Sequence, residues 1–116
     1  MGFVVPVLIL FVGETMDLSA VQKAVYQNKV DKGFNVTDVN VEFCLLYGEI
    51  AEAYEAWKKK QDTVGEELAD IAIYLLGLSE ILGVDLASEI EKKMKINRER
   101  EYQVIDGVLH RVEASL

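Results

Sequence analysis

Four carboxylates set among apolar residues constrain this chain more than any other feature. The stretch from Tyr47 to Tyr74 holds two acidic pairs, Glu49/Glu52 and Glu67/Asp70, each three residues apart and surrounded by Ala, Leu and Ile. On a helix that spacing puts both carboxylates of a pair on one face, roughly 5–6 Å apart at Cβ. Like charges concentrated in apolar sequence are costly unless something positive neutralises them. A hard divalent cation suits the task, because Mg2+ takes oxygen ligands and bridges carboxylates to substrate phosphates.

The chain is 116 residues long, enough for a single core. With 51% apolar and 28% charged residues it belongs among ordered globular proteins, and one proline leaves little scope for a loop-rich β fold. A net charge of −8 argues against a nucleic-acid polymer as partner, though not against a single nucleotide met by metal and a few cations. The lone Cys44 lies in an apolar helical run and reads as a core residue. A single cysteine permits no disulfide within the chain, which fits a reducing cytoplasm. The one histidine, His110, excludes histidine-rich metal sites.

Residues 1–15 open with the ten-residue apolar run Phe3–Val12, short of the roughly 20 residues of a membrane span. It lacks a basic signal-peptide start, and Pro6 occupies the place where myristoylation wants Ser or Thr. It is read as an arm packing on the domain or on a partner chain, with no membrane role. A helix is expected from Asp17 to Lys32, with Leu18, Val21, Val25 and Val30 as its apolar residues and Gly33 as its stop. Thr37 or Asp38 caps a second helix to Lys60. Thr63 and Glu66 have the form of a capping box opening a third helix, apolar on nearly every side, to Gly83. A fourth runs from Asp85 to about Glu101, and Asp106-Gly107 between short apolar segments signals a hairpin. The expected fold is an all-α, antiparallel four-helix bundle-like domain over residues 16–102. It is flanked by the arm at 1–15 and a C-terminal tail at 103–116 with a possible β-hairpin.

The short joint between helices two and three makes them antiparallel, so Glu52 and Asp70 lie at nearly the same level. Facing acidic pairs can enclose one or two divalent ions. Lys93, Asn97 and Arg100, spaced four and three apart, share a face of the fourth helix and can meet a polyanion. Metal on one side of a phosphate and cations on the other suit phosphoryl or nucleotidyl transfer, where positioning and charge neutralisation are the protein's main task.

Glu49-Ile-Ala-Glu52, followed after 14 residues by Glu67-Leu-Ala-Asp70, resembles the E-x-x-E…E-x-x-D signature of the MazG-like all-α nucleoside triphosphate pyrophosphohydrolases. Lys32-Gly33-Phe34 ahead of it and Lys93-x-x-x-Asn97-x-x-Arg100 behind it agree with that pattern. The resemblance implies Mg2+-dependent hydrolysis of a (d)NTP to the monophosphate and pyrophosphate in nucleotide-pool cleansing, with Mn2+ an acceptable substitute. It assigns Glu49, Glu52, Glu67 and Asp70 as metal ligands and catalytic residues, and Lys93, Asn97 and Arg100 as phosphate contacts. It further implies a homodimer or homotetramer. Phe34 and Trp57 are candidates for the nucleobase, and Glu55 or Glu66 for an extra ligand or base. The alternatives are a non-catalytic helical interaction module whose acidic patch binds a basic partner, and a related pyrophosphohydrolase acting on dUTP or phosphoribosyl-ATP.

Overall fold

A computed structural model describes residues 16–113. The apolar arm expected at 1–15 lies outside the described residues. Within them run α1 (Leu18–Lys32), α2 (Val39–Lys58), α3 (Val64–Ile81), α4 (Leu86–Glu99), β1 (Glu101–Ile105) and β2 (Val108–Val112). The chain divides into two compact units between Leu86 and Ala87. No single described helix is long and apolar enough to cross a membrane.

In the first unit, α3 packs against both α1 and α2. Helix starts follow local chemistry. Asp17 accepts the Ala20 N–H at 3.3 Å, and Asp38 accepts that of Val41 at 3.3 Å, each from an extended backbone that aims the carboxylate at the first turn. The capping box expected at Thr63 does not form. Its backbone, at φ −89° and ψ 2°, lacks the extended geometry of such a cap, and its hydroxyl makes no cap bond. Gly33 ends α1 in the left-handed conformation (φ 73°), where it and Phe34 return N–H bonds to Val30 and Lys29 carbonyls.

Ala53 and Ala56 on α2 and Leu76 and Leu78 on α3 are buried, as is Val21 on α1. Small residues three apart on α2 admit a close neighbouring helix. The apolar stripe expected on α1 is corrected at its C-terminal end: Val30 turns outward at 44% exposure, and Lys29 takes the buried phase one turn after Val25. Cys44, expected in the core, is exposed. Gln22 fastens the end of α3 to α1. Its Nε2 donates to the Val84 carbonyl at 2.7 Å and to Glu80 at 3.0 Å, and its Oε1 accepts the Leu86 N–H at 3.2 Å.

The second unit carries most of α4 and the hairpin. β1 and β2 pair antiparallel, with Ile105 opposite Val108 around the two-residue loop. Asp106 (φ 50°) and Gly107 (φ 77°) both have positive φ, the geometry of the type I′ turn that their sequence signals.

Candidate metal centre

Glu49 and Glu52 project from the middle of α2, and Glu67 from the first turn of α3. One carboxylate oxygen from each of the three lies within 4.8 Å of the others. The antiparallel course of the two helices brings them together: Glu52 is six residues before the end of α2 and Glu67 three after the start of α3. Oε2 of Glu49 and Oε2 of Glu67 are fully covered and have no hydrogen-bond partner among the described residues. Burial first, then the charges of Glu52, Asp70 and Glu67, raises the Glu49 carboxyl above its ordinary value. Glu67 rises for the same leading cause, with Glu52 and Asp70 next. Asp70 thus acts on the cluster through its charge, while the close set of three oxygens comes from the glutamates.

The donor set is all oxygen, compact and anionic, and two of its oxygens are shielded from water with nothing to bind them. A hard divalent cation answers each of these conditions: it takes carboxylate oxygens, offsets their repulsion and fills the empty valences. The residues present therefore fit such an ion.

The other candidate residues are placed as follows. Phe34 and Trp57 are exposed, at 56% and 65%, and Trp57 stacks on Tyr54 with ring centroids 6.1 Å apart. Glu55 is engaged by Lys59 at 2.9 Å on the solvent side of α2. Glu66 is exposed and adds its charge to that felt by Glu67. Lys93, Asn97 and Arg100 belong to the second unit. There the Arg100 guanidinium donates to Asn97 Oδ1 at 3.0 Å, and Lys93 is exposed one turn earlier on α4.

Sequence reasoning missed a buried polar pair about two helical turns from this centre. Glu42 on α2 is buried and paired with Lys29 of α1, and its second oxygen accepts Asn35 Nδ2 at 3.0 Å. The sequence carries only the phase of the pair and not its burial: Lys29 follows Val21 and Val25 at four-residue steps, and Glu42 precedes Glu49 by seven. Tyr74, one turn beyond Asp70, has its phenol raised by burial first and then by the charge of Glu49.

A sequence model of the MazG-like family matches residues 43–112, 70 of the 116 residues. The chain belongs to the MazG-like family. Glu49, Glu52, Glu67 and Asp70 lie in the matched region, as do Trp57, Lys93, Asn97 and Arg100, while Phe34 precedes it. The MazG-like chain is 39% identical over 44 residues to a dATP/dGTP diphosphohydrolase of Salmonella phage PMBT28, a match spanning 38% of this chain and 15% of that relative. Its fold is similar to that of the cyanophage S-2L MazG-like pyrophosphohydrolase, solved with dGDP and three catalytic Mn2+ ions per active site. That likeness has a TM-score of 0.67 and 24% identity, and it covers 85% of this chain and 96% of the other.

Proposed function

We propose that the chain is a divalent-metal-dependent pyrophosphohydrolase that converts a deoxynucleoside triphosphate and water to the monophosphate and pyrophosphate. The observation that carries this reading is the three-glutamate cluster: one oxygen of each lies within 4.8 Å of the others, and Glu49 and Glu67 each have an oxygen that is covered and unpartnered among the described residues. The names of the phage relative and of the cyanophage neighbour support the reaction class and a deoxynucleotide substrate.

Glu49, Glu52 and Glu67 would hold the cation, with Asp70 as the fourth carboxylate of the set. Bound there, Mg2+ or Mn2+ supplies neutralisation of phosphate oxygens and acidification of the attacking water. The chain's own residues do the rest. Asp70, whose charge is felt by Glu49 and Glu67, would complete the ligand set, and a carboxylate of the set left free of the cation would take the water's proton. By the family resemblance, Lys93, Asn97 and Arg100 are assigned to the substrate's phosphates, where Lys and Arg would offset negative charge. Trp57 and Phe34 offer exposed aromatic faces for a base.

The assembly is proposed to be a homodimer or homotetramer in the cytoplasm. Phe43, Leu45, Ile50, Leu68, Ile73 and Leu75 are each at least 40% exposed on α2 and α3, an apolar surface that a second copy would cover. Analytical ultracentrifugation at micromolar concentration tests it, and a monomer would reject it.

The deciding experiment measures pyrophosphate release from a panel of NTPs and dNTPs with Mg2+ or Mn2+. Release of pyrophosphate and monophosphate is expected, with Glu52→Gln and Asp70→Asn each lowering kcat by at least about a hundredfold. Silence of the wild type across the panel, together with no metal uptake by calorimetry, would reject the enzyme reading.

A further inference from the structure

Two turns below the acidic cluster, a single lysine touches all three helices of the first unit. Lys29 rises from α1, is 8% exposed, and pairs with Glu42 of α2, which is 1% exposed. Its Nζ stands 5.4 Å from the centroid of the Tyr74 ring on α3. Its aliphatic stem passes Gly77 of α3 so closely that a Cβ there would lie 3.2 Å from Lys29 Cδ. Glu42 is fully engaged, with Lys29 on one oxygen and Asn35 Nδ2 at 3.0 Å on the other.

These contact points are in step with the cluster. Glu42 precedes Glu49 by seven residues, Tyr74 follows Glu67 by seven, and Gly77 follows Asp70 by seven. Seven residues are two helical turns, roughly 10 Å along the axis, so each contact shares a helix face with a carboxylate of the cluster. The cluster itself drives α2 and α3 apart when no cation offsets its charge. Lys29 links α2 to α3 from its place on α1. Its amine holds Glu42 while its stem lies against Gly77 and Tyr74, so moving α2 off α3 must either part the buried ion pair, stranding two charges, or lift the stem from α3.

We propose that Lys29 and Glu42 are positioning residues for the metal centre: with the close passage that Gly77 permits, they set the α2–α3 separation at which Glu49, Glu52 and Glu67 converge. This rests on reading the cluster as a metal centre. Affinity at such a centre depends on ligand placement to within a fraction of an ångström, so residues that touch no ligand still govern it.

The test is Mn2+ affinity of the full chain by isothermal titration calorimetry. Lys29→Met with Glu42→Leu removes both charges at similar volume, an exchange that buried pairs commonly tolerate. Gly77→Ala keeps both charges and displaces the lysine stem. Val21→Ala, in the core away from the pair, controls for lowered stability. The double variant is expected to bind Mn2+ about tenfold or more weakly while retaining wild-type circular dichroism, and Gly77→Ala to weaken it in the same direction. Val21→Ala should keep the wild-type Kd. A folded double variant with wild-type affinity overturns the proposal, as does equal weakening by Val21→Ala. If the double variant fails to fold, Gly77→Ala decides, and an unchanged Kd there overturns it. A wild type that takes up no Mn2+ sinks the metal reading itself, whereas a binding wild type beside an unchanged variant sinks the positioning role alone.

Discussion

Lys29 and Glu42 are worth most when one is removed without the other. Lys29→Ala leaves a carboxylate that is 1% exposed with its counter-charge gone, and a loss of about 3–5 kcal/mol is expected in urea unfolding. Glu49 and Glu67 behave oppositely, since their carboxyls titrate above the ordinary range, chiefly through burial. Between the ordinary and the raised value the folded chain binds more protons than the unfolded chain, so stability falls as pH rises through that window. The metal-free chain should therefore melt at higher temperature at about pH 5 than at about pH 7, measured by thermal scans in chelator. Saturating Mg2+ should flatten or invert that trend, because the cation does at neutral pH what the protons do at acid pH. A metal-free melting temperature that climbs steadily toward neutrality would contradict the burial of these two groups.

At the scale of the element, two helix ends solve one problem with different residues. Both α1 and α2 finish on a left-handed residue that turns its N–H back on the helix: Gly33 at φ 73° for α1, and Lys60 at φ 55° just beyond α2. Glycine takes this conformation freely, whereas a residue with a Cβ gives up about 1 kcal/mol. Lys60→Gly should thus stabilise the chain and Gly33→Ala destabilise it, each by about 1 kcal/mol in denaturant titration. Such ends explain what was legible in the sequence. Gly33, Asp17, Asp38 and Asp106-Gly107 act within a few residues of themselves, so their roles could be read from the chain alone. The acidic cluster was also legible, because helical spacing and a short joint suffice to bring Glu49, Glu52 and Glu67 together. Thr63 failed as a capping residue because its hydroxyl depends on a backbone angle that the sequence does not state. Lys29 was hidden for another reason. A lysine ordinarily marks a solvated face, and its burial depends on Glu42 and Gly77 on two other helices.

For the molecule as a whole, the proposed metal binding and folding should be linked. A cation that binds only the folded chain should add about 2.7 kcal/mol of stability at a concentration a hundred times its Kd, read as a concentration-dependent rise in melting temperature. Glu52→Gln should blunt that rise without abolishing the fold, since Glu52 is exposed. The carboxylate cluster also has a bearing on traffic to the site. The chain carries a net charge of −8, and its four acidic candidates concentrate that sign at the place where, on the proposed function, a polyphosphate would arrive. Their field slows an approaching anion, and dissolved ions shorten its reach to about 10 Å at 0.1 M ionic strength. Encounter with a bare nucleotide should therefore quicken as salt is added, the reverse of the usual enzyme with an electropositive funnel. A nucleotide already escorted by its own cation would meet a lower barrier, so on the proposed function the chain should admit charge-neutralised visitors ahead of naked ones.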